Sequence, residues 1–132
     1  MAKIKLEIIQ PVKKKIEGEY DHVIVPGVDG DFGIMENHTP FITKIRPGIL
    51  QLFNNRSSEE YAVHDGFVTV DDNIVKIVCD VIEHRSEIDK TRAASAKKRA
   101  EKRLKSNQED TDFRRAEFAL KRSLVRLEVI EK

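Results

Sequence analysis

Glycine and proline are confined to the first part of the chain. The last glycine is Gly66 and the last proline is Pro47, so the residues from there to position 132 contain neither. Both residue types mark short strands and turns, and long helices exclude them from their interiors. The sequence therefore predicts a β domain at residues 1–86 followed by a helical domain at residues 87–132.

Alternating hydrophobicity characterises the first part. Ile4, Leu6 and Ile8 alternate with charged residues, which is typical of a strand with one buried face. The run from Ile74 to Glu83 has the same period, and its predicted buried face consists of Val75, Ile77, Cys79 and Val81. Turn signals such as residues 71–73 separate these runs. We expect an antiparallel β-sandwich or barrel.

Helical periodicity begins at Asp89, which is suited to cap the first helix. Ala93, Ala96, Ala100 and Leu104 then fall on one stripe. The polar residues 106–110 interrupt the pattern, and Asp110 or Thr111 can cap a second helix. Apolar residues three and four positions apart predict the buried face of that helix: Phe113, Ala116, Leu120, Leu124, Leu127 and Ile130.

These patterns predict an α+β protein whose two parts are segregated, with an antiparallel two-helix hairpin after the sandwich. The first helix offers mostly alanines to the hairpin. Because an alanine methyl buries much less apolar surface than a leucine side chain, the hairpin needs the sandwich, another protein or a ligand for its stability.

Charge is distributed unevenly between the two parts. Residues 1–86 hold 10 Lys and Arg against 14 Asp and Glu, whereas residues 87–132 hold 14 against 9. The basic half is therefore expected to meet anionic partners. The single cysteine excludes an intrachain disulfide, and no apolar run approaches the roughly 20 residues of a membrane span. Without a signal-peptide pattern at its N-terminus, the chain is expected to be cytoplasmic.

Several motifs in one order resemble the epsilon subunit of the bacterial and chloroplast F-type ATP synthase, and the resemblance covers essentially the whole chain. They are Gly27-x-x-Gly30-x-x-Gly33-Ile34, Asn37-His38-Thr39-Pro40, Arg46-Pro47-Gly48, Asp65-Gly66-Phe67-Val68-x-Val70, Ile88-Asp89-x-x-Arg92-Ala93 and Arg114-Arg115-Ala116-Glu117-x-Ala119-Leu120-x-Arg122. One departure is Met35-Glu36-Asn37, where the family usually has a Leu-Pro-Gly turn.

The resemblance implies a rotor subunit of the central stalk, with no active site of its own, at the cytoplasmic face of the inner or plasma membrane. Its implied partners are the gamma subunit, the ring of c subunits and, through the helices, the alpha/beta hexamer. The helices would inhibit ATP hydrolysis when extended. The loop that carries Asp29, Asp31 and His38 is the candidate contact with the rotor.

The resemblance also implies ATP as a regulatory ligand of the folded hairpin. The residues that it assigns to ATP are Glu83, Ile88, Asp89, Arg92, Ala93, Arg99, Arg122 and Arg126. Arginines on two adjacent helices suit phosphate oxygens, which guanidinium groups bind in a bidentate manner. No phosphate-binding loop with Gly-Lys-Ser/Thr occurs, so hydrolysis by this chain is not expected.

Alternative interpretations remain open at this level. The arginines can instead form a solvated face that pairs with Glu87, Glu117 and Glu128. The chain can also be a nucleotide sensor without a rotor partner, or a basic hairpin that binds nucleic acid, although the helices lack aromatic residues in a stacking pattern. The four histidines lack metal-ligand spacing, so no metal site is predicted.

Overall fold

The computed structural model describes residues 3–10, 16–55, 57–106 and 112–131. Within them, eight strands precede two helices, which confirms the predicted segregated fold. The strands are β1 (Ile4–Ile9), β2 (Ile16–Tyr20), β3 (His22–Gly27), β4 (Gly30–Met35), β5 (Phe41–Ile45), β6 (Gly48–Asn54), β7 (Ser57–Asp71) and β8 (Ile74–His84). A 3-10 turn at Arg85–Glu87 then leads to α1 (Lys90–Leu104) and α2 (Phe113–Glu131).

The longest strand, β7, organises the sandwich. On one edge it pairs first with β6 and then with β5, while β8 runs antiparallel along its other edge. β1 joins β8 in parallel and β2 in antiparallel orientation. The predicted turn between β7 and β8 is present, with positive φ at Asp72 (49°) and Asn73 (61°), as hairpin turns of this kind require. The inward faces enclose one core, to which β1 contributes the predicted Ile4, Leu6 and Ile8.

The predicted buried face of β8 is wrong at one position. Val75, Ile77 and Cys79 are buried, but Val81 is 37 % exposed and Ile82 takes its place in the core. Opposite this point on β7, Asp65 has a φ of 50°, and β7 changes its partner from β6 to β5. The simple alternation of buried and exposed residues on β8 therefore ends opposite the point where β7 changes its partner.

The start of α1 agrees with the sequence. Asp89 caps the helix, since its Oδ1 accepts a hydrogen bond from the Arg92 amide at 3.1 Å. Ala93 and Ala100 are buried as predicted. The caps proposed for α2, Asp110 and Thr111, lie outside the described residues. Within them, Asp112 Oδ1 accepts a hydrogen bond from the Arg115 amide at 3.0 Å.

The predicted single apolar stripe of α2 is wrong in part. Phe113 and Leu124 are 47 % and 44 % exposed. The buried residues of the helix are Ala116, Ser123, Val125 and Val129. At 100° per residue, Val125 lies half a turn away from Ala116, so α2 buries two opposite faces. One face meets the sandwich, and the other meets α1, with which α2 packs along its length. Two long helices joined by so short a connection must be antiparallel.

The hairpin is docked on the sandwich through a small apolar cluster. Val125 and Val129 of α2 pack with Ile49 of β6 and Ala62 of β7, and Ile88 adds to the cluster from the connecting segment. The Arg85 guanidinium donates to the carbonyl oxygen of Ile130 at 2.8 Å. A cation near the C-terminus of a helix satisfies a free carbonyl and the helix dipole together. Neither helix of the described chain is long and apolar enough to cross a bilayer.

Candidate functional site

A cavity of about 600 Å³ lies where the last strand, the connecting segment and both helices meet. This volume falls within the range of small-molecule sites. Its lining comprises Glu83 of β8, Glu87, Ile88 and Asp89 of the connecting segment, Thr91, Arg92, Ala93, Ser95, Ala96 and Arg99 of α1, and Arg126 of α2. No group of three or more side chains in the described ranges is arranged to hold a metal ion.

Seven of the eight residues that the resemblance assigns to ATP line this cavity. The exception is Arg122, one helical turn before Arg126. It lies in a neighbouring open depression with Asp65, Arg115 and Phe118. Three further residues of α1 line the cavity and are not among those that the resemblance assigns to ATP: Thr91, Ser95 and Ala96. The sequence predicted Ala96 only as part of the apolar stripe of this helix.

Glu83 is the central polar residue of the cavity wall. Its Oε1 accepts a hydrogen bond from Arg126 Nε at 2.6 Å, which ties α2 to the last strand of the sandwich. The same oxygen lies 3.3 Å from Nε2 of His64, an imidazole that is only 2 % exposed. The register of β7 and β8 makes this contact possible. His64 opposes Val81 and Ala62 opposes Glu83, so His64 and Glu83 are diagonal neighbours on one face of the strand pair.

These contacts keep Glu83 ionised. The hydrogen bond from His64 lowers the pKa of Glu83 most, partial burial opposes that effect, and the hydrogen bond and charge of Arg126 lower the pKa further, to about 2. The carboxylate is therefore charged throughout the physiological range and remains an acceptor. An anionic ligand of the cavity would consequently meet a fixed carboxylate at one wall and arginines at the others.

The connecting segment is shaped by its own side chains. His84 donates its amide to Glu87 Oε1 at 3.0 Å, and the Ser86 amide donates to His84 Nδ1 at 3.2 Å. This reciprocal arrangement is a capping box, which fixes the entry angle of the following chain. It positions Ile88 and the Asp89 cap at the mouth of the cavity, where Ile88 and Ala93 supply apolar surface.

The three residues proposed for rotor contact lie in the β3–β4 hairpin and in the loop that precedes β5. Asp29 is exposed, and Asp31 pairs with Arg46, with a distance of 2.6 Å from Oδ1 to Nη2. His38 bonds locally, its Nδ1 lying 2.7 Å from the carbonyl oxygen of Thr39. The ring of His38 lies 6.3 Å from that of the exposed Phe41.

An apolar stripe, which we call the outer stripe, crosses the sandwich near these residues. It comprises Ile9, Val78, Phe67 and Ile42, which are 39, 50, 54 and 68 % exposed. Ile9 and Phe67 are both register partners of Val78, so the three side chains stand in one row across β1, β8 and β7. Adjacent exposed apolar residues of this size are typical of a surface that binds another protein.

Comparison with known families accounts for the whole described chain. Residues 3–85 match the beta-sandwich domain of the ATP synthase delta/epsilon chain, and residues 86–131 match its long alpha-helix domain. The chain therefore belongs to the ATP synthase delta/epsilon chain family.

Within that family the curated relatives are epsilon chains. The ATP synthase epsilon chain of Syntrophobacter fumaroxidans is 38 % identical over 130 residues, which cover 98 % of this chain and 97 % of the relative. That of Herpetosiphon aurantiacus is 40 % identical over 126 residues, covering 96 % and 93 %. The alignments thus extend over both parts of the chain, and the predicted resemblance to the epsilon subunit is confirmed.

Solved structures support the fold. A chain in the cryo-EM structure of the Euglena gracilis mitochondrial ATP synthase, described as OSCP/F1/c-ring, has a TM-score of 0.87 at 23 % identity and covers 100 % of this chain and 83 % of that one. A chain of the central stalk and c-ring of the Tetrahymena thermophila mitochondrial enzyme gives 0.58 at 17 % identity, covering 98 % and 95 %. Both structures therefore share the order of a sandwich and two helices.

Proposed function

We propose that the protein is a rotor subunit of the central stalk of an F-type ATP synthase, without an active site of its own, in which ATP regulates the position of the helical hairpin. The sandwich would connect the gamma subunit with the c ring at the cytoplasmic face of the membrane. The hairpin would inhibit ATP hydrolysis when it leaves the sandwich and extends toward the alpha/beta hexamer.

One observation carries the regulatory part of this proposal: the walls of the cavity come from β8, the connecting segment, α1 and α2 together. The cavity is consequently complete only while the hairpin is docked. A ligand that binds the docked form and not the extended one shifts the population toward the docked form by its difference in affinity. Binding of ATP would therefore hold the hairpin in its non-inhibitory position.

The chemistry of the cavity suits a nucleotide. Arg92 and Arg99 lie seven residues apart on the inner face of α1 and oppose Arg126 of α2. The Arg126–Glu83 bond uses Nε, and a guanidinium held in this way can present its terminal nitrogens to a phosphate. Ile88 and Ala93 offer apolar surface to a base. ATP acts here as a ligand rather than a substrate, since the phosphate-binding loop of nucleotide hydrolases is missing from the sequence.

Calorimetric titration of the full chain with ATP tests the site. Loss of a charge-assisted hydrogen bond should weaken binding about tenfold or more in Arg126→Ala and Arg92→Ala. Arg103→Ala is the matched control, because Arg103 is an exposed arginine of α1 one turn beyond Arg99 and does not line the cavity. An unchanged ATP affinity in Arg126→Ala would refute the assignment.

The outer stripe is the candidate surface for the gamma subunit, and the loop with Asp29, Asp31 and His38 is the candidate for the c ring. Phe67 is 54 % exposed in the row formed with Ile9 and Val78. An aspartate in place of Phe67 would leave an unpaired carboxylate in the interface, which is costly.

Co-purification with gamma tests the assignment of the outer stripe. Phe67→Asp should reduce association with gamma, whereas Ser58→Asp, on the exposed far end of the same strand, should not. Equal recovery of gamma with Phe67→Asp and the wild type would contradict a role of the outer stripe in this interface.

A further inference from the structure

His64 is a buried imidazole that the proposed function leaves without a role. It is 2 % exposed and lies on β7 next to Asp65, where the strand changes its partner. It does not line the cavity. Nδ1 has no hydrogen-bond partner in the described part of the protein, whereas Nε2 lies 3.3 Å from Glu83 Oε1.

The contact with Glu83 defines the role of Nε2. An ionised carboxylate can only accept hydrogen bonds, so Nε2 carries a proton and donates to Oε1. Nδ1 is a buried ring nitrogen without a partner in the described part of the chain, an unfavourable state that an apolar side chain would avoid. The hydrogen bond from Nε2 is therefore the contact that favours an imidazole at this position.

Oε1 of Glu83 also accepts from Arg126. A single carboxylate oxygen thus joins the buried imidazole at 3.3 Å and the cavity-lining guanidinium at 2.6 Å. The His64 side chain is 2 % exposed, whereas that of Glu83 is 21 % exposed and that of Arg126 is 27 % exposed. His64 is thus the most enclosed of the three side chains, and the other two reach solvent at the cavity.

We infer that His64 is a positioning residue of the cavity: its Nε2–H fixes the Glu83 carboxylate and, through that carboxylate, the direction in which Arg126 presents its terminal nitrogens to the phosphates of a nucleotide. This inference rests on the proposed function, because it assigns the ligand of the same cavity. His64 itself touches no ligand. Its effect on binding passes through Glu83 and Arg126.

Two substitutions separate the hydrogen bond from the packing. His64→Leu keeps an apolar side chain of similar size in the core and removes the donor. His64→Gln keeps an amide N–H near the position of Nε2. Two quantities are then measured on the full chain of each variant and of the wild type, namely the ATP affinity by calorimetry and the pKa of the Glu83 carboxyl by ¹³C NMR.

The inference predicts that His64→Leu weakens ATP binding about tenfold, as loss of a hydrogen bond to a charged group does, and raises the pKa of Glu83. His64→Gln should retain most of the ATP affinity and a pKa of Glu83 near that of the wild type. Equal loss of affinity in the two variants would show a packing effect and overturn the inference. An unchanged pKa of Glu83 in His64→Leu would overturn it as well.

The NMR measurement also distinguishes this inference from the proposed function. If the wild type bound no ATP, the proposed function would fail, and the role of His64 would be decided by the titration of Glu83 alone. A Glu83 pKa that is raised in His64→Leu but stays near the wild-type value in His64→Gln supports the positioning of Glu83 by His64. The same pKa in all three proteins excludes it.

Discussion

Glu83 lies on the last strand of the sandwich, and its side chain contacts the helices. It is placed by the register of β7 and β8, it accepts a hydrogen bond from Arg126 of α2, and it lines the cavity beside α1. A single carboxylate therefore connects the two parts of the chain. Its charge state should influence whether they stay together.

We predict that the free energy of unfolding decreases at acid pH because Glu83 becomes protonated. The pKa of this carboxyl is lowered from 4.5 to about 2 in the folded protein, so the unfolded chain binds a proton that the native one does not. The resulting contribution to the free energy of unfolding is present above pH 4.5 and is lost as the pH falls toward 2. Thermal denaturation over this range measures it. Glu83→Gln should show a shallower decline, and an identical pH profile would contradict the prediction.

The Cys79 thiol should be unreactive in the native protein. Burial, with a smaller contribution from the charge of Asp80, raises the pKa of this thiol from 9.0 to about 11. Since the thiolate is the nucleophile, the shift lowers its concentration about a hundredfold before steric protection is counted. Reaction with an aromatic disulfide at pH 8 should be slow in buffer and fast in denaturant. Rapid reaction in buffer would show that the core around β8 opens readily.

The candidate residues were predictable to different degrees. Arg92 and Arg99 lie at helical spacing in the sequence, so their common face on α1 follows from the helix period. The partnership of His64 with Glu83 does not, because it depends on which residues of β7 and β8 face each other and on the turn at Asp65. Periodicity defines a face of a strand, whereas a contact between strands is set by register.

At the level of elements, α2 is the helix that holds the hairpin on the sandwich. The sequence predicted one apolar stripe, but the helix buries Ala116 and Ser123 on one side and Val125 and Val129 on the other. A helix between two partners has two buried faces, and its hydrophobic residues then resemble a single broad stripe in sequence. The exposure of Val81 likewise depends on tertiary structure, since Val81 opposes His64 on β7, next to the point where β7 changes its partner from β6 to β5.

We predict that Val129→Ala loosens the docked hairpin. Val129 is fully buried in the cluster with Ile49 and Ala62. Removal of two carbons should lower the free energy of opening by about 1.5 kcal/mol. Hydrogen exchange of the helix amides measures this value, and the amides of the sandwich core should change less. Leu124→Ala is the control, because Leu124 is 44 % exposed on the same helix; a similar effect of both variants would contradict the assigned docking face.

The whole molecule combines a large core in the sandwich with a small docking contact. Burial of Val125 and Val129 contributes on the order of 3–6 kcal/mol before the cost of ordering the hairpin is subtracted. A ligand present at about 100 times its dissociation constant stabilises the state it binds by about 2.7 kcal/mol. A nucleotide that bound only the docked form, as proposed, would therefore add an energy comparable with that of the docking contact, without changing the core of the sandwich.

The central claim is that ATP favours the docked hairpin, and pulsed electron paramagnetic resonance tests it directly. Spin labels at Ser58→Cys on β7 and Lys98→Cys on α1, in a Cys79→Ala background, report the distance between sandwich and hairpin. Saturating ATP should narrow the distance distribution to the docked population in this protein and should fail to do so when Arg126→Ala is added. A distribution that stays the same up to millimolar ATP would contradict the account.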